Sequence, residues 1–139
     1  MKVACIQLSS GENYNKNFKQ IILYINQAIK NKSDLIITPE TSSIMTSNKK
    51  ILFNNTYTMG KDPLIKEIKK ISKKNKKWIL IGSLPTKDKN KYRNRSIMIG
   101  PKGNIVAYYD KIKMFDVKLQ NKEKHQESKT YKPGKKLVT

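Results

Sequence analysis

The sequence predicts an α/β fold built on a mixed β-sheet with helices packed against it. Residues 35–38 and 78–82 are two short runs of apolar or β-branched side chains between polar segments, which is typical of buried strands. Residues 14–30 carry apolar side chains at helical spacing, and they lie between a third strand candidate, residues 3–8, and residues 35–38. A strand–helix–strand succession implies two parallel strands in one sheet.

Each element predicted in the first half of the chain has its own sequence signal. The predicted helix over residues 14–30 buries one stripe, which consists of Phe18, Ile21, Ile22, Ile25, Ala28 and Ile29. Residues 31–34 form the turn into the second strand, and a proline ends that strand. Residues 41–61 are rich in Ser, Thr and Asn without a firm period, so we expect an irregular loop there.

The second half begins with a helix and ends in a hairpin. Asp62 followed by proline predicts a helix start, and the apolar stripe continues to about residue 75. The third strand, residues 78–82, is followed by a charged turn at residues 87–91. Residues 95–109 predict a hairpin around Pro101-Lys-Gly-Asn104, which makes the sheet mixed. From Lys118 the chain is polar, and residues 137–139 resemble the start of another strand.

The net charge of +20 raises the question of nucleic-acid binding. Only two of the 30 basic residues are arginine, and the lysines are spread over the whole chain. Arginine is the preferred side chain for recognising bases and phosphates. The joint excess of Lys, Asn and Ile therefore favours the coding bias of an AT-rich genome, and a nucleic-acid partner is the less favoured alternative.

The cysteine count and the hydropathy pattern narrow the class of protein further. The single cysteine, Cys5, excludes an internal disulfide and a multi-cysteine metal site, and its position in the first strand predicts a small buried side chain. No apolar run approaches the roughly 20 residues of a membrane span, and residues 1–8 lack a signal-peptide pattern. We expect one domain, or part of one, in a soluble cytoplasmic chain.

Two charged residues stand at the ends of predicted strands. Glu40 follows the apolar strand and its proline, and a carboxylate at the mouth of a sheet is a candidate general base. The alternative for Glu40 is a capping group or a partner of one of the lysines. Lys111 follows the second hairpin strand, where its charge could stabilise an oxyanion. The alternative for Lys111 is a solvated surface lysine.

Several segments, taken in order, resemble the carbon–nitrogen hydrolase (nitrilase/amidase) superfamily. Residues 2–8 are similar to its first strand, and residues 35–40 are similar to its apolar strand ending in Pro-Glu. Asn94-Arg-Ser96, with residues 103–106 and 109–116, resembles the segment that ends in the catalytic lysine. Glu127-Ser-Lys-Thr-Tyr-Lys-Pro-Gly134 resembles the Glu-Ser-x-x-Tyr-x-Pro-Gly segment of that family.

The resemblance implies a fold, a site and a reaction. The fold would be part of a four-layer αββα sandwich, with residues 1–139 as the truncated N-terminal part of one domain. The implied catalytic residues are Glu40 as general base, Lys111 on the tetrahedral intermediate, and Glu127 positioning Lys111 or the substrate. No cofactor and no metal are implied. The pattern at residues 115–116 and 127–131 is closer to the omega-amidase-like branch, which favours small linear amides.

The sequence also departs from the family pattern. Lys113 and Met114 stand where His and Leu are common, which bears on the substrate channel. The nucleophilic cysteine of the family would lie beyond residue 139, and Cys5 cannot replace it. We therefore expect this chain to be inactive alone and to need a companion chain that carries the cysteine, with a homo-oligomer as the intact form. A non-catalytic scaffold of the same fold is a further alternative.

Overall fold

A five-stranded mixed sheet forms the centre of the computed structural model, which describes residues 1–118 and 124–139. The strand order follows the sequence: the first three strands are parallel neighbours, and the last two pair antiparallel. The strands are β1 (Val3–Cys5), β2 (Leu35–Thr38), β3 (Trp78–Asp88), β4 (Lys91–Ile99) and β5 (Ile105–Asp110). The predicted α/β fold with a mixed sheet is confirmed.

In the described part of the chain, three α-helices accompany the sheet: α1 (Tyr14–Lys30), α2 (Lys49–Asn54) and α3 (Pro63–Asn75). The start of α3 follows from its sequence, because Asp62 Oδ1 accepts a hydrogen bond from the backbone N–H of Leu64 at 2.8 Å. The proline at the first position of α3 has no N–H to leave unsatisfied. None of the helices in the described ranges is long and apolar enough to cross a membrane.

The hydrophobic core lies between one face of the sheet and the two longer helices. The helices contribute their predicted apolar stripes, and the sheet contributes every second residue of its central strands. Burying one such aliphatic side chain is worth roughly 1.5–3 kcal/mol, so this layer accounts for much of the driving force for folding. The side chains at 0% exposure include Ile21, Ile25, Leu64 and Ile68 from the helices and Ile36, Ile79, Ile81, Ile97 and Ile99 from the sheet.

The opposite face of the sheet is apolar and partly open to solvent. Val3, Leu35 and Trp78 lie side by side in register on the three parallel strands. They alternate with Ile36 and Ile79 of the core, so they point away from the helices. Val3 is 43% exposed and Trp78 is 42% exposed. This helix-free face therefore leaves large apolar side chains in contact with water.

The termini and the long loop differ from the sequence prediction. The first strand ends at Cys5 rather than at residue 8, although the N–H of Ile6 still donates to Ile37 O at 2.8 Å. Residues 41–61, expected to be irregular, contain α2, whose start is capped by the Asn48 side chain. Residues 137–139 form no strand with the described part of the chain.

A second hairpin was missing from the sequence prediction. β3 continues past residue 82 to Asp88 and pairs with β4 as far as Lys91, so the charged turn connects two long strands. Lys89 takes a left-handed φ of 55° at this turn, a conformation for which glycine is the usual signal. In the polar C-terminal part, β6 (Asp116–Lys118) and β7 (Lys124–Gln126) form a small antiparallel ladder.

The expectation of a buried Cys5 is wrong, because the residue is exposed. Cys5 is aligned with Ile37 on β2, and its neighbour Ala4 packs against the core. Alternation along the strand then turns the thiol to the helix-free face. β1 is also the edge strand of the sheet, so no further strand shields the thiol among the described residues.

Candidate active site

A sharp turn at the carboxyl end of β2 presents Glu40. Thr41 has a φ of 47°, a left-handed conformation that is rare for a β-branched residue. The N–H of Thr41 donates to Ser83 Oγ at 2.8 Å, and the N–H of Ser42 donates to the Ser83 carbonyl at 3.0 Å. Hydrogen bonds from a neighbouring strand thus hold a strained turn in place, and the turn directs Glu40 beyond the edge of the sheet.

A glycine allows β3 to approach this turn. The register of β3 against β4 shifts between Ile81 and Leu84, which marks a β-bulge at Gly82 and Ser83. A Cβ atom on Gly82 would lie 1.9 Å from the carbonyl oxygen of Thr38. Only glycine therefore permits the close contact between β2 and β3 from which the Glu40 turn begins.

Lys111 follows β5 and lies at the same end of the sheet as Glu40. Two antiparallel steps, β3 to β4 and β4 to β5, bring the end of β5 to the side where β2 ends. The backbone of Lys111 is anchored on both sides, by its N–H to Asn94 O at 2.9 Å and by its carbonyl from Gly134 N–H at 2.8 Å. Its Nζ lies 2.9 Å from Glu40 Oε1 and 2.9 Å from Glu127 Oε2. The three predicted residues are therefore brought together.

Glu127 has both of its carboxylate oxygens occupied. It opens a short 3-10 turn, Glu127–Lys129, directly after β7. Oε2 accepts from Lys111 Nζ at 2.9 Å and from the Phe115 N–H at 2.8 Å, and Oε1 accepts from Asn94 Nδ2 at 3.1 Å. The Glu127 side chain is 9% exposed. This carboxylate is a fixed and enclosed anion.

Of the two carboxylate oxygens of Glu40, one accepts hydrogen bonds from the described residues. Its Oε1 accepts from Asn94 Nδ2 at 2.7 Å and from Lys111 Nζ at 2.9 Å. Its Oε2 accepts no hydrogen bond within the described ranges, and the side chain is 56% exposed. Of the two carboxylates, Glu40 is therefore the one with an oxygen free to take up a proton.

The charges alternate in sign, and this arrangement shifts two pKa values. Burial favours the neutral amine of Lys111, but hydrogen bonds and charge attraction from Glu40 and Glu127 outweigh it and raise the pKa of Lys111. Burial likewise favours a protonated Glu127. Hydrogen bonds from Phe115 N–H, Lys111 and Asn94 outweigh that effect and lower the pKa of Glu127. At neutral pH the ammonium and the Glu127 carboxylate are both charged.

Asn94 is the site residue that sequence reasoning left without a role. It lies in β4, is 3% exposed, and its amide bridges Glu40 and Glu127. The available signal was a polar residue within a strand, in the Asn94-Arg-Ser96 segment that resembles the family. The pattern did not show which groups the amide contacts.

A cleft of about 350 Å³ opens beside these groups. Burial, followed by the negative charge of Glu127, raises the pKa of Tyr131, so its phenol is neutral and able to donate a hydrogen bond. Thr41 Oγ1 is buried and has no hydrogen-bond partner in the described part of the chain. Besides Glu40, Lys111 and Glu127, the other lining residues are Ile44, Met45, Thr46, Asn94 and Phe115. The cleft thus combines apolar walls with a few polar groups, as small-molecule sites do.

Neither a cysteine nor a metal site accompanies this cleft in residues 1–118 and 124–139. The edge of β1 that contains Cys5 borders a different cavity, between this edge and Tyr24 and Gln27 of α1. No group of three His, Cys, Asp or Glu side chains in these ranges is placed to hold a metal ion. The described groups can supply proton transfer and charge stabilisation.

Relatives of known classification match almost the whole chain. Residues 2–139 match the family model for carbon–nitrogen hydrolases. Deaminated glutathione amidase of Yersinia enterocolitica is 32% identical over 140 residues, which cover 98% of this chain and 48% of that protein. The omega-amidase of Homo sapiens is 26% identical over 147 residues, covering 99% of this chain and 49% of that protein. The chain spans about half the length of the curated relatives it matches.

Solved structures share the fold at lower identity. The NitFhit protein of C. elegans superposes with a TM-score of 0.83 at 22% identity, over 98% of this chain and 34% of that chain. An amidase from Nesterenkonia sp. superposes with a TM-score of 0.77 at 17% identity, over 98% of this chain and 49% of that chain. These likenesses show the architecture, and the family follows from the sequence match. With a family model that covers residues 2–139, the chain belongs to the carbon–nitrogen hydrolase family.

Proposed function

We propose that this chain supplies the acid–base half of an amide-hydrolysing site and acts on small linear amides once a nucleophile-bearing portion is present. The observation that carries the proposal is the placement of Lys111 Nζ 2.9 Å from both Glu40 and Glu127 at the mouth of a cleft. Residues 1–139 would be the N-terminal part of a single hydrolase domain.

Glu40 is the general base in this proposal. Its exposed side chain and unengaged Oε2 allow it to take a proton from an incoming thiol, whereas Glu127 has no free oxygen. Glu40 would return that proton to the leaving amine and then take one from water during deacylation. Glu127 holds Lys111 in position.

Lys111 is the oxyanion-stabilising group. An ammonium has three N–H donors, and two of them are used by Glu40 and Glu127. The third is available to the carbonyl oxygen of the substrate as it becomes an oxyanion. Its charge persists at neutral pH because the two carboxylates raise the pKa of Lys111 against the effect of burial. Removing a comparable donor costs about 10²–10³ in kcat.

The nucleophile is a thiol in the portion of the relatives that this chain does not cover. The thiol sulfur would attack the amide carbon, the tetrahedral intermediate would expel ammonia with the proton from Glu40, and water would hydrolyse the thioester. Cys5 lies on the edge strand β1, which borders another cavity, and is not part of this chemistry. Without the thiol, the chain has a base with nothing to activate.

The helix-free face also supports a domain divided between this chain and a companion portion that carries the nucleophile. Val3 and Trp78 remain more than two-fifths exposed, whereas soluble monomers rarely expose large contiguous apolar patches. A companion portion would cover this face as the second half of an αββα sandwich and complete the cleft. We place the assembled protein in the cytoplasm as a homo-oligomer.

The substrate class rests on the relatives. They include amidases for deaminated glutathione and omega-amides, and structures of the Nesterenkonia amidase contain acrylamide or butyramide. All of these names point to amides, and the cleft of about 350 Å³ suits a small acyl group. Lys113 and Met114, where the family commonly has other residues, are the positions at which the substrate channel would differ.

The test is an ammonia-release assay with butyramide. Residues 1–139 are purified alone and mixed with the C-terminal half of the Yersinia enterocolitica relative, which serves as the companion. We expect hydrolysis only in the mixture, retained in Cys5→Ala and reduced about 10²–10⁴-fold in Glu40→Gln. Hydrolysis by the isolated chain that Cys5→Ala retains and Glu40→Gln abolishes would reveal another nucleophile. A mixture that binds but does not turn over would support the non-catalytic scaffold.

A second candidate function, nucleic-acid binding, is favoured by a lysine-rich surface on α3. Lys66, Lys69, Lys70 and Lys73 of α3 line a cavity of about 340 Å³ together with Gly103. Phosphate contacts release counterions, so affinity would fall steeply with salt. Glutamine at these four positions should flatten the salt dependence more than glutamine at four lysines elsewhere, Lys16, Lys19, Lys30 and Lys49. Equal effects would attribute any binding to net charge alone.

A further inference from the structure

One buried residue, Asn94, is hydrogen-bonded to all three residues of the charged cluster. The Asn94 side chain is 3% exposed, and its Nδ2 lies 2.7 Å from Glu40 Oε1 and 3.1 Å from Glu127 Oε1. The backbone carbonyl of Asn94 accepts from the Lys111 N–H at 2.9 Å. The two carboxylates come from positions 54 and 33 residues away in sequence.

Both donors of the Asn94 amide are used. The Nδ2 group has two hydrogens, and one is directed to each carboxylate. Glu40 Oε1 therefore receives both the Asn94 amide and the Lys111 ammonium, while Oε2 accepts no hydrogen bond from the described residues. Without the amide, a single ammonium would have to hold two anions, and repulsion between neighbouring carboxylates favours protonating one of them.

We propose that Asn94 is a positioning residue that keeps the Glu127 carboxylate ionised and turns Glu40 so that Oε2, rather than Oε1, is the oxygen left to accept a proton. Glu40 is thereby a base with one available oxygen. The inference rests on the proposed function only where it calls Glu40 the base, since the ionisation of the cluster can be measured without any turnover.

The charged and titratable groups placed at this cluster come from several elements of the described chain. Lys111 comes from the segment after β5, Glu40 from the segment after β2, and Glu127 from the turn after β7. Tyr131 also lines the cleft, and its raised pKa keeps it neutral over the acid range in which carboxylates titrate. A pH-dependent change in the Asn94 amide that is absent in Glu127→Gln would therefore report the Glu127 carboxylate.

The test is an NMR titration of residues 1–139 with labelled Glu carboxyl carbons and Asn side-chain amides. In the unmodified chain, the Asn94 Nδ2 resonances should shift with the ionisation of Glu127. In Asn94→Ala and Asn94→Ser, the pKa of Glu127 should rise, by about one pH unit for the loss of one charge-assisted bond. Asn94→Asp, which has the same shape but no donor, should raise it further.

Asn17 provides a matched control. It is also 3% exposed, and its Nδ2 donates to two carbonyls, Gly11 O at 2.8 Å and Ser43 O at 3.0 Å. Asn17→Ala should lower stability and leave the pKa of Glu127 unchanged. Asn94 amide protons that do not respond to pH in the unmodified chain would overturn the proposal, and so would an unchanged Glu127 pKa in a folded Asn94 variant.

The assembled enzyme gives a second, separable readout. With the companion portion present, Asn94→Ala should lower kcat with little change in KM and move the acid limb of the pH profile to higher pH. Absence of any turnover would contradict the proposed function, while the titration of the isolated chain would still decide the role of Asn94.

Discussion

Lys111 Nζ lies 2.9 Å from Glu40 Oε1 although 71 positions separate the two residues in sequence. The contact exists because β2 and β5 run in the same direction, so the residues that follow them leave the sheet at the same edge. Neither residue is held by this contact alone: the Glu40 turn is fixed by Ser83, and the Lys111 backbone is fixed by Asn94 and Gly134. The ion pair is therefore positioned by the sheet.

Removing the ammonium should leave an enclosed carboxylate without its counter-charge. In Lys111→Met, Glu127, which is 9% exposed in the unmodified chain, loses its cation, so we expect a loss of about 1–3 kcal/mol in the free energy of unfolding. Urea denaturation at pH 7 measures this loss. Lys70→Met is the control, because Lys70 is 76% exposed in its pair with Glu67 and should change stability by less than about 0.5 kcal/mol. Equal effects in the two variants would contradict the prediction.

The same cluster predicts how stability depends on pH. The pKa of Glu127 is lowered on folding, so its contribution is present above its ordinary value of 4.5 and is lost as pH falls through the folded value. The pKa of Lys111 is raised, so its contribution is present below 10.5 and is lost as pH rises through the folded value. Urea denaturation from pH 3 to 7 should show a shallower acid limb in Glu127→Gln than in the unmodified chain. Parallel acid limbs would mean that Glu127 has the same pKa in both states.

Local signals explain which elements were predictable from sequence. The two long helices carry a side-chain cap and an apolar stripe within their own residues, as Asp62 and the stripe of α3 illustrate. The β3–β4 hairpin was missed because Lys89, rather than a glycine, takes the positive φ at its turn. Nothing within residues 87–91 distinguishes this turn from a charged loop.

Long-range contacts explain what sequence could not show about the site. The positions of Glu40, Lys111 and Glu127 were inferred from motifs, but the partners of Asn94 lie 54 and 33 residues away and depend on strand order. The exposure of Cys5 depends on which face of the sheet the helices cover, and the alternation of one strand does not reveal that face. Both features are consequences of the assembled sheet.

A methyl group at Gly82 should disrupt the turn that carries Glu40. The added Cβ would lie 1.9 Å from the backbone oxygen of Thr38, and backbone cannot move aside as a flexible side chain can. We expect Gly82→Ala to destabilise the chain by roughly 3 kcal/mol or more, at the upper end of overpacking effects. Gly60→Ala is the control, since no heavy atom lies within 4 Å of a Cβ at that position. Thermal unfolding of both variants, followed by circular dichroism, makes the comparison, and a Gly82→Ala chain as stable as Gly60→Ala would contradict the assigned contact.

Trp78 should report the covering of the helix-free face. It is the single tryptophan of the chain, is 42% exposed, and lies in register with Leu35 on that face. If the companion portion packs there, indole burial should shift the fluorescence maximum to shorter wavelength on mixing, in proportion to the hydrolysis that appears. The companion should carry phenylalanine in place of its own tryptophans, so that the signal comes from Trp78 alone.

Trp78→Lys should weaken the association with the companion portion, because a charge at the centre of an apolar contact must be desolvated. Lys77→Ala, one residue earlier and outside the strand, should leave it unchanged. Amide hydrolysis that appears on mixing with no change in Trp78 emission would show that the companion binds elsewhere on the molecule.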